Sequence, residues 1–392
     1  MHFKKKNIAI LGSTGSVGSN AIKVISKYPN LFDVNLLACD KNYKKIILQI
    51  NKFSPKYVLV NNYKIYKLLK IKFAKRRIFF FNNLQELEKK LKISRKFDKV
   101  IVGIPSIDGL DYCFSFLNFS KELLIANKES LICGAKILLK KAKIKRCKII
   151  SIDSEHYCLS EILKNEKRKN IDLVYLTASG GPFLKKKNKF LKKIQIKHVI
   201  DHPTWLMGRK ISVDSATMVN KIFELIEAHI LFSIPKNKLR IKIHKESLVH
   251  SVVILKNGLV KMIMHNTSMT IPIRNTLFNQ NYNFENSNNY FTKNKYFSLN
   301  FDEKNLNNFK IIKTGYKILN SSHASWILFV VLNDFLVKKF LNKEIFFYQI
   351  VNNLIKIFNN KVTKSYIKKK INNLSDIKKM ISLCKNLKFD YD

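Results

Sequence analysis

The seven residues Gly12-Ser-Thr-Gly-Ser-Val-Gly18 narrow the possible folds more than any other stretch of the chain. Ahead of them Asn7-Ile-Ala-Ile-Leu11 is a short apolar run, and behind them Ala21, Ile22, Val24 and Ile25 fall at helical spacing. The order is therefore strand, glycine turn, helix. Glycine lets a backbone turn tightly and approach a pyrophosphate, while the N-terminus of the next helix offers oriented N–H groups and positive dipole. The spacing is G-x-x-G-x-x-G, not the commoner G-x-G-x-x-G, so the strand and helix around it carry the nucleotide-binding reading; the competing reading is a structural turn. A second apolar run, Val34 to Ala38, closes a βαβ unit.

Further apolar runs at 57–60, 99–103, 123–126 and 148–152 alternate with helical stretches, which predicts a parallel, helix-covered sheet over residues 1–150. From Ile171 the pattern changes. Strand candidates at 171–177 and 248–264 flank a lid-like segment and one long helix, predicting an α+β domain over 151–278. Residues 279–308 are crowded with Asn and lack helical periodicity, as a connector does, and 309–392 read as Lys-rich helices with apolar faces such as Ile350, Leu354, Ile355 and Phe358. The fold class is thus α/β, with an N-terminal Rossmann-like parallel sheet, a central α+β domain and a C-terminal helical domain. A length of 392 residues suits two or three domains.

Lys+Arg 73 against Asp+Glu 27 leaves a net charge of +46, enough to attract any polyanion. The lysines are spread along the whole chain among Ile, Asn and Phe, which points to the compositional drift of an AT-rich bacterial genome and to no specific nucleic-acid partner. Six cysteines without a C-x-x-C pair read as reduced thiols. The densest apolar run, Trp326 to Val337, is interrupted by Asn333 and Asp334 and is shorter than the roughly 20 residues a membrane span needs. Lys4 to Lys6 lead straight into the first apolar run, with no room for a cleaved leader, so a cytoplasmic protein is expected.

Five other clusters can carry chemistry. At the end of the second strand, Asp40-Lys41-Asn42 sends opposing signals, since an acid there suits a ribose 2′-hydroxyl and a cation suits a 2′-phosphate. Asp153-Ser154-Glu155-His156 follows an apolar run; two carboxylates at i and i+2 can converge on Mg²⁺ or Mn²⁺, or can simply begin a helix. Asp201 to Lys210 places Trp205 and Met207 between Pro203 and Gly208, as in a hinged lid that excludes water, with His202 able to reach a phosphate or reacting oxygen. A helix starting near Asp214-Ser215 and running through Phe232 puts Asn220, Lys221 and Glu224 on one face, either as a phosphate and metal site or as a surface ion pair. Ala178-Ser-Gly-Gly-Pro-Phe183 is a glycine-rich turn that can present Ser179 and backbone amides to an anion.

Taken together these segments resemble the 1-deoxy-D-xylulose 5-phosphate reductoisomerase family. The resemblance rests on Leu-Gly-Ser-Thr-Gly-Ser-Val-Gly (11–18), Ala-Asn-Lys-Glu-Ser-Leu (126–131), Asp-Ser-Glu-His (153–156), Ala-Ser-Gly-Gly-Pro-Phe (178–183), His-Pro-x-Trp-x-Met-Gly-Arg-Lys-Ile-Ser-Val-Asp-Ser-Ala-Thr-Met (202–218) and Asn-Lys-x-x-Glu (220–224), in family order. It implies a homodimeric enzyme that uses NADPH and Mg²⁺ or Mn²⁺ to rearrange and reduce a sugar phosphate. Asp153, Glu155 and Glu224 are implied as metal ligands, with Lys128 near the reacting end. Ser154, Ser179, His202, Ser215, Asn220 and Lys221 are implied as substrate contacts. Thr14, Gly15, Ser16, Val17, Lys41, Asn42, Asn127, Glu129 and Gly208 are implied as NADPH contacts, and Trp205 and Met207 as the lid. The resemblance thus favours NADPH at the 40–42 segment, assigns catalysis and dimerisation to 151–278, and fades in the last third. Departures include Tyr157-Cys158 for Asn-Ala, His244-Lys-Glu-Ser247 for His-Pro-Gln-Ser, and His265-Asn-Thr-Ser268 for Gly-Glu-Pro-Asp.

Overall fold

The computed structural model describes residues 4–93, 95–184, 194–201, 205, 207–278 and 297–387. In chain order the first half comprises β1 (Lys6–Leu11), α1 (Ser16–Ile25), β2 (Phe32–Cys39), α2 (Tyr43–Phe53), β3 (Tyr57–Val60), α3 (Tyr63–Lys72), β4 (Phe79–Phe81), α4 (Leu84–Leu91), β5 (Phe97–Val102), α5 (Gly109–Phe116), β6 (Ser120–Ile125), α6 (Lys128–Ile144) and β7 (Lys148–Ser151). The second half comprises α7 (Ser154–Leu163), β8 (Ile171–Ala178), α8 (Ile196–Ile200), α9 (Arg209–Ala216), α10 (Val219–Phe232), β9 (Leu239–Ile243), β10 (Val249–Leu255), β11 (Val260–Met264) and α11 (Thr270–Phe278). The last helices are α12 (Ile311–Leu319), α13 (His323–Leu341), α14 (Phe347–Asn359), α15 (Lys361–Ile367) and α16 (Leu374–Lys385).

The chain forms two compact units. The first holds residues 4–130, 138–153 and α11, around a seven-stranded sheet of order β4-β3-β2-β1-β5-β6-β7 in which every pair is parallel. Central strands of such a sheet are covered on both faces and so read as unbroken apolar runs. Ile8, Ile10 and Leu11 of β1 and Val100 to Val102 of β5 are fully buried, each worth about 2 kcal/mol. The sheet contains a strand the sequence reading lacks, β4, three phenylalanines too short to stand out by period. α11, in the 151–278 segment, packs its Phe278 edge-on against Tyr28 and Phe32. Lys6 and Lys99 donate to its Leu277 and Thr276 carbonyls, at 3.0 and 2.8 Å, fastening its C-terminal end.

The second unit holds residues 131–137, 154–268 and the C-terminal helices. Its four-stranded sheet has the order β11-β10-β8-β9, with β8 and β9 parallel and β10 antiparallel to both neighbours. The stretch expected as one strand over 248–264 is a hairpin that turns at Gly258, whose φ is +84°. The helix expected from Asp214 through Phe232 is two: Thr217 closes α9 by donating from Oγ1 to the Val213 and Asp214 carbonyls, and Met218 turns left-handed at φ +65°. Ser215 and Asn220 therefore lie on separate helices. No helix among the described residues is long and apolar enough to cross a membrane.

Candidate active site

The glycine loop follows β1 directly. Gly12 has φ +80° and packs so closely on Gly103, at the end of β5, that a Cβ there would stand 2.9 Å from the Gly103 carbonyl. Its N–H and that of Ser13 donate to the Ala38 carbonyl at 3.0 and 2.8 Å, tying the loop to the end of β2. Gly15 is the N-cap of α1 and supplies no side-chain cap, so the first-turn amides of Ser16 and Val17 have no acceptor within the helix. Sequence reading passed over Gln49, which lies 7% exposed on the apolar face of α2 and donates to the Ser13 carbonyl at 2.9 Å. A buried amide between Ile46 and Ile50 is the signal that marks it. Thr14 is partly exposed, and its carbonyl is reached by Lys45 Nζ at 3.5 Å. Asp40, Lys41 and Asn42 are exposed, and Asn42 caps α2 by accepting from the Lys45 amide at 3.1 Å.

Asn127 caps α6 through Oδ1, which accepts from the Ser130 amide at 2.8 Å, while Nδ2 donates to the Ile104 and Ser106 carbonyls. This side chain ties the start of α6 to the segment that follows β5. Glu129 is buried in the first turn of α6. Lys128 beside it is 4% exposed and meets Asp153 Oδ2 at 2.5 Å.

Asp153 stands immediately before α7, Glu155 in its first turn, and Glu224 in α10 with no exposure. Each offers a carboxylate oxygen within 4.8 Å of the others, the only such cluster of three potential metal ligands among the described residues. Such crowding of buried negative charge needs compensation. Lys221 supplies it, binding Glu155 Oε1 at 2.7 Å and Glu224 Oε2. Burial alone would draw the Lys221 ammonium down, but Glu155 and Glu224 outweigh it and hold the group above the usual lysine range. The alternative of a surface ion pair is excluded, because Lys221 and Glu224 are 5% and 0% exposed. Asn220 donates to Glu224 Oε1 at 2.5 Å, as spacing of four predicts, and Ser154 Oγ donates to Glu155 Oε2 at 2.5 Å.

Two residues without an assigned role brace this cluster. His156 donates from Nε2 to the Glu224 carbonyl at 3.0 Å and lies 3.6 Å from Glu227, joining α7 to α10. Ser251 of β10 donates to the Glu155 carbonyl at 2.7 Å.

Around it, the Ser179-Gly180-Gly181 turn presses onto the end of α9, where a Cβ on Gly181 would meet the Ser215 carbonyl at 3.4 Å. Ser179 Oγ accepts from the Gly181 amide at 3.1 Å. Ser215 and Ser179 are partly exposed, hence accessible to an anion. α9 itself is anchored by Asp214, a residue the sequence reading left unassigned: 2% exposed, it accepts from Lys210 at 2.8 Å and from Asn333 of α13 at 2.7 Å. Lys210 also pairs with Asp334 at 2.9 Å. Gly208 is the N-cap of α9, and Trp205 and Met207 precede it half-buried. His202 lies outside the described residues.

Family models match the chain over most of its length. One described as 1-deoxy-D-xylulose 5-phosphate reductoisomerase matches residues 8–135, and its C-terminal domain matches 149–232. A second C-terminal domain of DXP reductoisomerase matches 264–387, within the last third, where the motif resemblance fades. A 1-deoxy-D-xylulose 5-phosphate reductoisomerase of Pelagibacter ubique is 37% identical, with 96% of each chain covered. One of Clostridium novyi is 34% identical, covering 88% of this chain and 90% of the relative. A crystal structure of DOX-P reductoisomerase with NADPH, fosmidomycin and magnesium superposes with a TM-score of 0.90 at 26% identity, over 97% of this chain and 96% of that one. Another, with magnesium, gives 0.87 at 25% identity over 97% of both.

Proposed function

This chain belongs to the 1-deoxy-D-xylulose 5-phosphate reductoisomerase family, and we infer that it uses NADPH and a divalent metal to convert 1-deoxy-D-xylulose 5-phosphate into 2-C-methyl-D-erythritol 4-phosphate, a step towards isoprenoid precursors. The observation that carries the reading is the meeting of Asp153, Glu155 and Glu224, distant in sequence, within 4.8 Å. Hard carboxylate oxygens, three in number and two of them on buried residues, fit Mg²⁺ or Mn²⁺ and leave coordination positions for a substrate. Asp153, Glu155 and Glu224 would hold the ion, which would supply Lewis-acid stabilisation of the negative charge that develops as the carbon skeleton rearranges. Thr14, Gly15, Ser16 and Val17 of the glycine loop would hold NADPH, which would supply the hydride for the reduction.

The protein's own residues do the rest. Lys128 and Lys221 hold Asp153, Glu155 and Glu224 in place and bring positive charge to a site that receives an anionic substrate. Ser179, Ser215, Asn220 and Lys221 offer hydroxyl, amide and ammonium donors to the phosphate, with Ser154 and His202 completing the proposed contacts. The phosphate is remote from the bond that breaks, so its binding energy serves to fix the reacting conformer and to close Trp205 and Met207 over it. Lys41, Asn42, Asn127, Glu129 and Gly208 complete the proposed cofactor contacts. The proposal also takes 1–150 as the cofactor domain, 151–278 as the catalytic and dimerisation domain, 279–308 as a connector and 309–392 as C-terminal helices, in a cytoplasmic bacterial enzyme.

Purified protein mixed with 1-deoxy-D-xylulose 5-phosphate, NADPH and Mn²⁺ should oxidise the cofactor, and EDTA should stop it. Absence of substrate-dependent oxidation, or full rate in EDTA, removes this reading.

A homodimer is part of the same proposal. β11 is the edge of its sheet and exposes Val260 and Met262 at 52 and 44%, with Leu259 just before it at 57%. Apolar side chains on an edge strand suit pairing with a second copy. Met262→Lys should shift the mass in analytical ultracentrifugation from dimer to monomer; a monomeric wild type, or a variant that stays dimeric, excludes this face.

A further inference from the structure

Beside the Glu155 end of the site lies a pair of stacked imidazoles to which the foregoing mechanism gives no part. His250 is in β10, and His265 directly follows β11. Their ring centroids are 4.0 Å apart with planes at 28°, and Trp205 of the proposed lid meets His250 edge-on at 5.7 Å and 67°. Indole, imidazole and imidazole thus stand in a row. Edge-to-face and offset-stacked rings attract beyond the area they bury.

Both imidazoles are oriented by backbone carbonyls. His250 donates from Nε2 to the His265 carbonyl at 3.3 Å, and His265 donates from Nδ1 to the Asn266 carbonyl at 2.7 Å. The remaining nitrogen of His265, Nε2, is buried and has no hydrogen-bond partner among the described residues. That ring is therefore kept in place by its face and a single hydrogen bond. Burial, with His265 next, pushes His250 down to about 3, while burial lowers His265 as well. The charged groups facing the pair are Glu155 and, on the His250 side, Lys221. Burial therefore disfavours charge on either ring, and with it the repulsion two imidazolium ions would bring. The next residue of β10, Ser251, holds the Glu155 carbonyl, so a single strand carries both the stack and a brace of the carboxylate cluster.

We propose that His265 is a positioning residue for Trp205: its ring backs His250, giving Trp205 a rigid face to pack against. The inference rests on the reading of Trp205 as part of a lid. Its position is one where the resembled sequence pattern carries Gly, so the backing ring belongs to this chain and not to the shared reaction machinery.

The chain has two tryptophans, and Trp326 lies in α13. In a Trp326→Phe background, acrylamide quenching therefore reports Trp205 alone; if that background fails to fold, 5-fluorotryptophan labelling separates the two by ¹⁹F resonance. His265→Ala should expose Trp205 to quencher and raise KM for 1-deoxy-D-xylulose 5-phosphate about 5-fold, the scale of one ring contact, with kcat changed less than 2-fold. His265→Phe should restore both, because it keeps the ring and removes the unpartnered nitrogen. Unchanged quenching and KM in the alanine variant overturn the proposal, as does a phenylalanine variant that behaves like alanine. Wild-type turnover is the separate check on the reaction: its absence removes the functional reading, while the quenching series still decides the stack.

Discussion

Glu224→Gln should leave NADPH affinity within about 2-fold of wild type and lower kcat by about 1,000-fold or more, equivalent to roughly 4 kcal/mol of barrier. The reasoning begins with local charge. Three carboxylates, Asp153, Glu155 and Glu224, face two ammonium groups, Lys128 and Lys221, in a buried setting. One net negative charge is left over to attract a divalent ion, and the substitution cancels it. Glutamine keeps the size of the side chain and can still take a hydrogen bond from Asn220, so α10 is not expected to move. Excess Mn²⁺ should recover little, whereas Glu224→Asp, which keeps the charge but withdraws the oxygens, should be partly recovered by it. Kinetics under Mn²⁺ titration, with NADPH binding followed by fluorescence, separate the outcomes. Equal losses of cofactor binding and turnover would show that Glu224 holds the fold together and not the ion.

The features of this fold that could be read from sequence are those whose cause is local. The glycine loop declares itself because tight turning and close approach restrict residue type at Gly12 and Gly18, and each buried strand of the parallel sheet is an unbroken apolar run. Pairing of Asn220 with Glu224 follows from helical spacing alone. What escaped depends on partners far away. Asp214 takes its meaning from Asn333, 119 residues later, and His156 from Glu224, 68 residues later. Met218 breaks the long helix although its residue type favours helix, because Thr217 turns its hydroxyl back on the preceding turn and ends α9. β4 and β9 are three and five residues long, too short for periodicity to separate from their surroundings. His265 reads as a mere departure from a pattern until β10 and β11 pair and bring it against His250.

Gly18→Ala should reduce NADPH affinity by about 100-fold or more, a loss of roughly 3 kcal/mol, while Mn²⁺ binding at the carboxylates stays near wild type. Propensity argues the other way, since alanine is better than glycine inside a helix by about 1 kcal/mol. Contact geometry decides. A Cβ on Gly18 would stand 2.3 Å from the Gly12 carbonyl oxygen, 2.5 Å from Ser13 Cα and 2.6 Å from the Ser13 carbonyl carbon. All three are backbone atoms, so no rotamer change relieves the overlap and α1 must shift away from the loop. The loop has little room to follow, being fixed to Ala38 by two amides and to Gln49 by its Ser13 carbonyl. The amides of Ser16 and Val17 would then leave the position proposed for them at a pyrophosphate. Gly15→Ala is the internal control: its φ of −76° suits alanine, and the added Cβ would meet the Gly12 oxygen at 3.3 Å, so a loss of about 10-fold or less is expected. Fluorescence titration with NADPH and Mn²⁺ binding by electron paramagnetic resonance measure the loop and the carboxylate cluster independently. A Gly18→Ala protein that binds NADPH within 3-fold of wild type would reduce Gly12 to Gly18 to a turn that links β1 to α1 and cradles nothing.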